Sequence, residues 1–320
     1  MRIPRLRQLC ILALVLMSIV SIAPGQNNSG KFIVGVLQES GAIIPFARYD
    51  GARWVNTWPA PVDPSQNRTP PVVPALREWL GENAPASWRL WLPNGTTHAI
   101  RATGSEYLKD TCGTNWVLST DFPKTLNPRP FTCPLRTIGI VFSTDQKLIP
   151  FYPGNHSGIA LSALEKAGEA AEIGQMRDEN EARARLGTRE RASFGPDWDV
   201  TSRARFPLKV ERTWSAETDN GDVFSYLEAN RRFDLESSKE CARFSVFHGW
   251  VADNAKVLKS NVVLTDCDFK EAEFITPMGL VDLKGGLFAI IQVNGWEGQA
   301  YAILKIGPTE VTTVLDSPVR

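Results

Sequence analysis

The segment GLVDLKGGLFAIIQVNGWEGQAYAILKIGPTEVTTVL, residues 279–315, contains four short apolar runs separated by glycine-rich turns. The runs cover residues 279–283, 287–293, 299–306 and 311–315. Runs of this length that are rich in Val, Ile and aromatic residues and bounded by Gly or Pro are typical of β-strands. We therefore predict a four-stranded antiparallel meander at this end of the chain.

The same pattern of short strands and turns occurs earlier in the chain. Residues 31–37 alternate between apolar and other positions, and a second apolar run covers residues 41–48. The pairs Asn94-Gly95 and Asn220-Gly221 lie between strand-like runs and predict two hairpins with type I′ turns. Residues 135–152 predict a further hairpin that turns at Asp145-Gln146. These patterns predict an all-β, mainly antiparallel protein with a propeller-like, sandwich or barrel architecture.

One segment has a different composition. Ala, Glu, Arg and Lys dominate residues 160–187, and the pairs Glu179–Arg183 and Glu181–Arg185 have the i,i+4 spacing of a helix. We predict one charged helical insertion near 160–187, a solvated helix that joins two β-rich halves. A partner-binding helix is the alternative, although its apolar stripe is narrow.

The first 25 residues have the layout of a secretory signal peptide. Three arginines, Arg2, Arg5 and Arg7, precede an apolar run over residues 9–23, which ends in small residues and Pro24-Gly25. This run is shorter than the roughly 20 apolar residues that a transmembrane helix requires. We predict cleavage after Gly25, a secreted or periplasmic location, and no transmembrane span in the mature chain.

The composition shifts divide the rest of the chain into three parts. We predict an N-terminal β-rich half over residues 26–155 and a helical linker or insertion over 156–200. A C-terminal β-rich half then covers residues 201–320. The two halves form either one domain or two, because about 295 residues suffice for both arrangements.

Four cysteines follow the predicted leader, and they fall into two local pairs. An oxidising compartment favours disulfides, and we predict Cys112–Cys133 and Cys241–Cys267, which close loops of 21 and 26 residues. Loops of this size stabilise a folded chain by about 3 kcal/mol each in the chain-entropy model. The sequence has no C-x-x-C spacing for a zinc site.

Four Asn-x-Ser/Thr sequons lie in Gly-, Pro- or polar-rich stretches and predict surface loops, at Asn27, Asn67, Asn94 and Asn155. Whether they carry glycans depends on the host. Without the leader the chain has 32 basic and 35 acidic residues, a net charge of −3, and no basic run. The absence of a basic run argues against nucleic acid or an anionic membrane surface as the main partner. The chain also has no glycine-rich phosphate loop, so we predict no cofactor.

The sequence contains no recognisable catalytic motif. The stretch Gly154-Asn-His-Ser-Gly158 lacks the G-x-S-x-G spacing of a serine hydrolase, and its histidine, like His98 and His248, has no second histidine at metal-ligand spacing. Two i,i+2 carboxylate pairs could serve a glycosidase, Asp197 with Asp199 and Asp266 with Asp268, but such pairs are more often solvated loop groups. We predict no catalytic residue.

Residues 281–291 resemble in rhythm the calcium loops of FG-GAP-type propeller repeats, in which an Asp-x-Asp-Gly-Asp loop precedes an apolar strand. Only Asp282 and Gly285 match that loop, and Lys284 and Gly286 stand where acidic ligands are needed. Calcium requires several oxygen ligands, so we predict no metal site.

Ten tryptophans give the remaining indication of function. Most are expected in a β core, and Trp54, Trp58 and Trp296 are the candidates for an exposed aromatic patch that binds a saccharide or a protein. We therefore expect a non-catalytic binding or interaction protein. The alternative is an extracellular, glycosidase-like hydrolase that uses dispersed acidic residues.

Overall fold

The computed structural model describes residues 30–56, 86–110, 113–124, 136–154, 158–186, 197–233, 242–295 and 298–319. The strands form three antiparallel sheets of seven, five and four strands, and one long helix packs on the five-stranded sheet. The predicted all-β fold with one helical insertion is confirmed.

The first sheet is a closed barrel. Its strands are β1 (Lys31–Gln38), β2 (Ala42–Asp50), β3 (Trp54–Val55), β4 (Ser87–Trp91), β5 (Thr97–Asp110), β6 (Gly113–Thr120) and β7 (Thr137–Phe142). The order β1-β7-β4-β5-β6-β2 closes through pairing of β1 with β2, and β3 extends β2 on the outside. Alternate residues such as Ile33, Ile43, Trp88 and Leu90 fill the interior, because successive side chains of a strand point to opposite faces.

The C-terminal half forms two open sheets. One contains β8 (Tyr152–Pro153), β9 (Leu208–Glu217), β10 (Val223–Phe233), β11 (Arg243–Ala252) and β12 (Lys256–Thr265) in the order β12-β11-β10-β9-β8. The other is the predicted meander, which is confirmed, with β13 (Phe274–Leu283), β14 (Gly286–Asn294), β15 (Gln299–Ile306) and β16 (Val311–Val319). Helix α1 (Gly158–Ala184) and two 3-10 turns, Arg203–Arg205 and Asp253–Ala255, complete the described elements.

The four-stranded sheet is the central layer of the molecule. Phe288 and Ile290 of β14 pack against the outside of the barrel, whereas Ala289 and Ile291 pack against the five-stranded sheet. Because both faces of the sheet are buried at its inner strands, β14 and β15 are nearly continuous apolar runs instead of alternating ones. This central layer explains why residues 279–315 have the most regular strand pattern in the sequence.

The two Asn-Gly hairpins are confirmed, but their turns are not type I′. In the first, the Gly95 N–H donates to the Leu92 carbonyl over 2.9 Å and the Leu92 N–H donates to the Thr96 carbonyl over 2.9 Å. This pattern is a type I turn followed by a glycine bulge, with positive φ at Gly95 alone, at +80°. The turn covers residues 92–95, so Pro93 is its first central residue, and the negative φ of proline excludes type I′ there. Gly221 has the same bonds and a φ of +86°.

The predicted hairpin over residues 135–152 is wrong. Strand β7 pairs with β1 and β4 and thereby closes the barrel, whereas β8 pairs with β9 in another sheet. Between them Ile149 exchanges two backbone hydrogen bonds with Leu280, of 2.8 and 2.7 Å. The chain therefore crosses from the barrel over the central sheet at this point.

Helix α1 is not the solvated connection that its composition suggested. It packs on β11 and β12 through residues spaced four apart, which are Leu164, Gly168, Glu172 and Met176. The contact stripe contains a glycine and a glutamate, so the sequence shows only a thin apolar face. The buried Glu172 is neutralised by Arg203 and Arg231, which donate from Nε to its two oxygens.

Substitution of Gly168 by alanine is expected to destabilise the protein by about 1–3 kcal/mol, although alanine is the better helix former. A Cβ at this position would lie 2.7 Å from Phe247 Cε1 and from Val262 Cγ2. Gly174→Ala on the same helix meets no atom within 4 Å and should stabilise by about 0.5–1 kcal/mol. Urea unfolding of both variants tests this difference, and a gain in stability at position 168 would contradict the close packing.

Within the described ranges, no helix combines the length and the hydropathy that crossing a bilayer requires.

Candidate functional site

A cleft of about 330 Å³ lies between the five-stranded sheet and the central sheet. Its volume is at the lower end of the range for small-molecule sites. The residues that line it are Tyr226, His248, Gly249, Trp250, Lys259, Ser260, Asn261, Glu273, Ile275, Ile291, Val293, Ala300, Ala302, Leu304, Thr313 and Asp316.

The two walls of the cleft differ in chemistry. The central sheet supplies an apolar wall, formed by Ile275, Ile291, Val293, Ala300, Ala302 and Leu304. Two carboxylates flank this wall, since Glu273 precedes the edge strand β13 and Asp316 lies on the opposite edge strand, β16. The five-stranded sheet supplies a wall of aromatic and polar side chains. Such a cleft presents apolar surface and hydrogen-bonding groups to the same ligand.

The polar wall follows from the strand register. Arg212, Glu228, His248 and Asn261 lie directly opposite one another on β9, β10, β11 and β12. Residues paired in this way project from the same face of a sheet. The register therefore gathers four polar side chains into one row across the face that lines the cleft.

His248 is held neutral in this row. Its Nδ1 lies 3.1 Å from Tyr226 Oη, and its Nε2 lies 3.1 Å from Asn261 Nδ2. With the amide in this orientation Asn261 can only donate, so Nε2 accepts and the proton sits on Nδ1, which donates to Tyr226. Burial, together with the charge of Lys259, lowers the pKa of His248 to about 4. At neutral pH this ring is therefore a hydrogen-bonding group without charge.

Glu228 is buried beside His248, with 2% of its surface exposed. Burial raises its pKa, and the charge of Arg212 opposes that rise. Arg212 Nε is 3.9 Å from Glu228 Oε1, and Oε2 has no hydrogen-bond donor among the described residues. Burial also raises the pKa of Tyr226 well above its usual value; the charges of Glu228 and Glu273 add to this rise, and the charge of Arg212 opposes it. Both carboxylates therefore act on the same hydroxyl group.

The predicted aromatic patch is corrected at Trp54. This side chain is 8% exposed and packs among Phe32, Tyr49 and Phe288 at the junction of barrel and central sheet, so it is a core residue. Trp58 and Trp296 lie outside the described residues, and their part of the prediction stays open. Trp250 of the cleft wall is an aromatic residue that the sequence analysis did not single out.

The predicted disulfides also stay predictions. Cys112, Cys133 and Cys241 lie outside the described residues, and Cys267 lies in an exposed turn that follows β12.

Of the four sequons, Asn94 alone lies in the described ranges. It is exposed in the first Asn-Gly turn, where its Oδ1 accepts hydrogen bonds from the Thr96 N–H at 3.0 Å and hydroxyl at 2.7 Å. Asn27, Asn67 and Asn155 lie outside those ranges. The surface position of Asn94 agrees with its prediction as a loop sequon.

The two i,i+2 carboxylate pairs have local roles. Asp199 accepts hydrogen bonds from Thr201 and Ser202, which lower its pKa to about 2. Hydrogen bonds from Asp266 and Lys270 lower the pKa of Asp268 to about 2. Asp266, Asp268 and Glu271 bring oxygens within 4.8 Å of one another and are the described residues best placed to hold a cation, but they are exposed and already bonded to Lys270 and Thr265.

Sequence reasoning missed Tyr226, Glu228, Asn261 and Glu273. In β10 the polar side chains at 226, 228 and 230 alternate with Leu227 and Ala229, which is the usual pattern of a strand with one solvated face. Only the packing of the central sheet over that face turns it into a cleft wall. The one sequence signal for this site is Glu228, because a glutamate between Leu227 and Ala229 is unusual in a strand that is buried on both faces.

Comparison of the chain with family models, with curated proteins and with solved structures finds no match.

Proposed function

We propose that this protein is a secreted or periplasmic, non-catalytic binding protein and that the cleft between its two C-terminal sheets holds a small-molecule ligand. The observation that carries the proposal is the pair of unlike walls, one apolar and one aromatic and polar. Binding sites typically combine a largely apolar surface with a few polar groups that orient the ligand. The volume of about 330 Å³ suits a small molecule more than a protein segment.

The state of His248 supports binding over acid–base catalysis. Both ring nitrogens have hydrogen-bond partners within the wall, and the pKa of about 4 leaves the ring a weak base. A general base works best when its pKa is near the operating pH. The hydrolase alternative rests on Glu273 and Asp316, which both line the cleft.

Filling the cleft tests the proposal. Ala300 lies on the apolar wall, and Ala300→Phe is expected to weaken binding of 2-phenylethanol, a neutral probe with one apolar and one polar end, by about tenfold or more. Ala99→Phe, on an exposed position of β5, is the matched control and should bind as the wild type does. Saturation-transfer NMR with the purified mature chain measures the binding.

Three outcomes separate the two candidate functions. Loss of probe binding in Ala300→Phe alone supports the cleft as a binding site. Absence of binding to the wild type, or equal binding to all three proteins, contradicts it. Release of nitrophenol from 4-nitrophenyl glycosides, abolished by Glu273→Gln, would instead support the hydrolase.

The location is tested separately. Export to the periplasm or medium with Gln26 as the new N-terminus is the expected result of N-terminal sequencing. A chain that begins at Met1 in the membrane fraction would contradict it.

A further inference from the structure

Three charged side chains act on the Tyr226 hydroxyl, and two of them are carboxylates. Glu228 is its neighbour two positions along β10, Glu273 lines the same cleft, and Arg212 is the one cation of the three. Lys259 lines the cleft as well, but the register places it two strands away from Tyr226, on β12 beyond Trp250. Two strand spacings correspond to about 10 Å. The Tyr226 end of the cleft is therefore acidic, and the compensating ammonium lies at the other end.

Arg212 neutralises this end only in part. Its side chain is 52% exposed, and its guanidinium group lies 5.7 Å from the centre of the Phe274 ring. The distance of 3.9 Å between its Nε and Glu228 Oε1 is too long for a hydrogen bond. The second oxygen of Glu228 has no donor in the described part of the chain. Buried carboxylate oxygens usually accept a hydrogen bond, so this oxygen is an acceptor for an incoming donor.

Two aromatic rings flank the ring of Tyr226. The rings of Tyr226 and Trp250 have centroids 5.2 Å apart, and Trp214 lies 5.9 Å from Tyr226 on its other side. Aromatic faces attract cations, and the attraction is stronger where water is excluded. A positively charged N–H donor would satisfy both the carboxylates and the rings.

We propose that the ligand of the cleft is a small organic amine with an apolar group. Its ammonium lies at the acidic end, against Tyr226 and Glu273 of the cleft lining and toward Glu228, their buried neighbour on β10, which is not itself a lining residue. Its apolar group lies against Ile291 and Leu304 of the opposite wall. The proposal rests on the proposed function, because it names the class of ligand for the same cleft.

Three probes of nearly equal shape and different charge test this assignment at pH 7.5. They are phenethylamine, 2-phenylethanol and 3-phenylpropionate, and calorimetric titration of the mature chain measures each dissociation constant. We expect the amine to bind about tenfold or more tightly than the alcohol, because a charge-assisted hydrogen bond and a cation–π contact are added. The carboxylate should bind more weakly than the alcohol.

Glu228→Gln and Glu273→Gln should each remove most of the preference for the amine and leave binding of the alcohol within about twofold. Glu217→Gln, an exposed position on β9, is the matched control and should keep the full preference. If Glu228→Gln fails to fold, Glu273→Gln still tests the assignment. Glu273 is an exposed residue just before β13, so its substitution is not expected to disturb folding.

The outcomes for the ligand class and for the cleft are distinct. Equal binding of amine and alcohol, or a preference for the carboxylate, overturns the amine assignment and leaves the cleft as a binding site. A preference for the amine that survives both glutamate substitutions also overturns the assignment. Absence of binding by all three probes overturns the proposed function as well.

Discussion

Substitution of Arg231 by methionine is expected to lower the free energy of unfolding by about 3–5 kcal/mol. Arg231 is 1% exposed between β10 and helix α1. Its Nε donates to Glu172 Oε1 at 3.0 Å, its Nη2 donates to Glu165 Oε1 at 2.5 Å, and its Nη1 donates to the Phe206 carbonyl. Methionine fills part of the volume but leaves the buried charge of Glu172 with Arg203 as its remaining described partner.

The adjacent residue provides the control for this prediction. Arg232 follows on the same strand, is exposed, and belongs to the opposite face. Arg232→Met should therefore cost less than about 1 kcal/mol, as is usual for surface charges. Urea unfolding of both variants at pH 7 gives the comparison. If Arg231→Met lowers the free energy of unfolding no more than Arg232→Met does, the ion pairs do not hold the helix on the sheet.

Acidification is expected to lower the free energy of unfolding through His248. Its pKa is about 4 in the folded protein and about 6.5 in an unfolded chain, so the unfolded state takes up a proton first as the pH falls. The stability that the folded protein has with a neutral His248 is fully present above pH 6.5 and is lost progressively down to about pH 4. The difference between the two pKa values corresponds to about 3 kcal/mol.

Glu228 changes the free energy of unfolding in the opposite direction, over a pH range that overlaps the range of His248. Burial raises its pKa above the unfolded value, so its contribution to stability improves as the pH falls through the folded pKa. The contribution of His248 is therefore isolated with His248→Gln, whose amide keeps one donor and one acceptor. Urea unfolding at pH 7 and pH 4 should show a smaller loss for this variant than for the wild type, by about 2–3 kcal/mol. Equal losses would contradict the assignment of a buried neutral histidine.

Local patterns predicted the secondary structure well where both strands of a pair are adjacent in sequence. The meander of β13 to β16 and the two Asn-Gly hairpins depend on short turns, which the residues themselves specify. The prediction failed at residues 135–152, where β7 and β8 pair with strands that are distant in sequence. Turn residues carry no information about such long-range pairing.

Helix α1 also shows that local sequence patterns do not predict long-range contacts. Its i,i+4 pairs predicted a helix near residues 160–187, and the helix covers Gly158–Ala184, but its contact face contains Gly168 and Glu172. A glycine at a close approach and a glutamate between two arginines do not form an apolar stripe, so periodicity alone indicated a solvated helix. The partner arginines, Arg203 and Arg231, come from other segments of the chain.

The site depended on tertiary structure more than any other feature. Trp54 was predicted at a surface and lies in the core, because the central sheet covers that side of the barrel. Tyr226 of β10 was unremarkable in sequence and lines a cleft, because the second face of the central sheet covers that side of the five-stranded sheet.

By itself the sequence determined the strand-rich class, the C-terminal meander, the two hairpins and the helix, since each depends on the spacing of residues that are neighbours in the chain. Closure of the barrel, the burial of Glu172 and the cleft around Tyr226 and His248 were decided only by tertiary structure. In each of these, contacting groups come from separate segments, and the packing of whole sheets determines which faces are covered and which chemical groups meet.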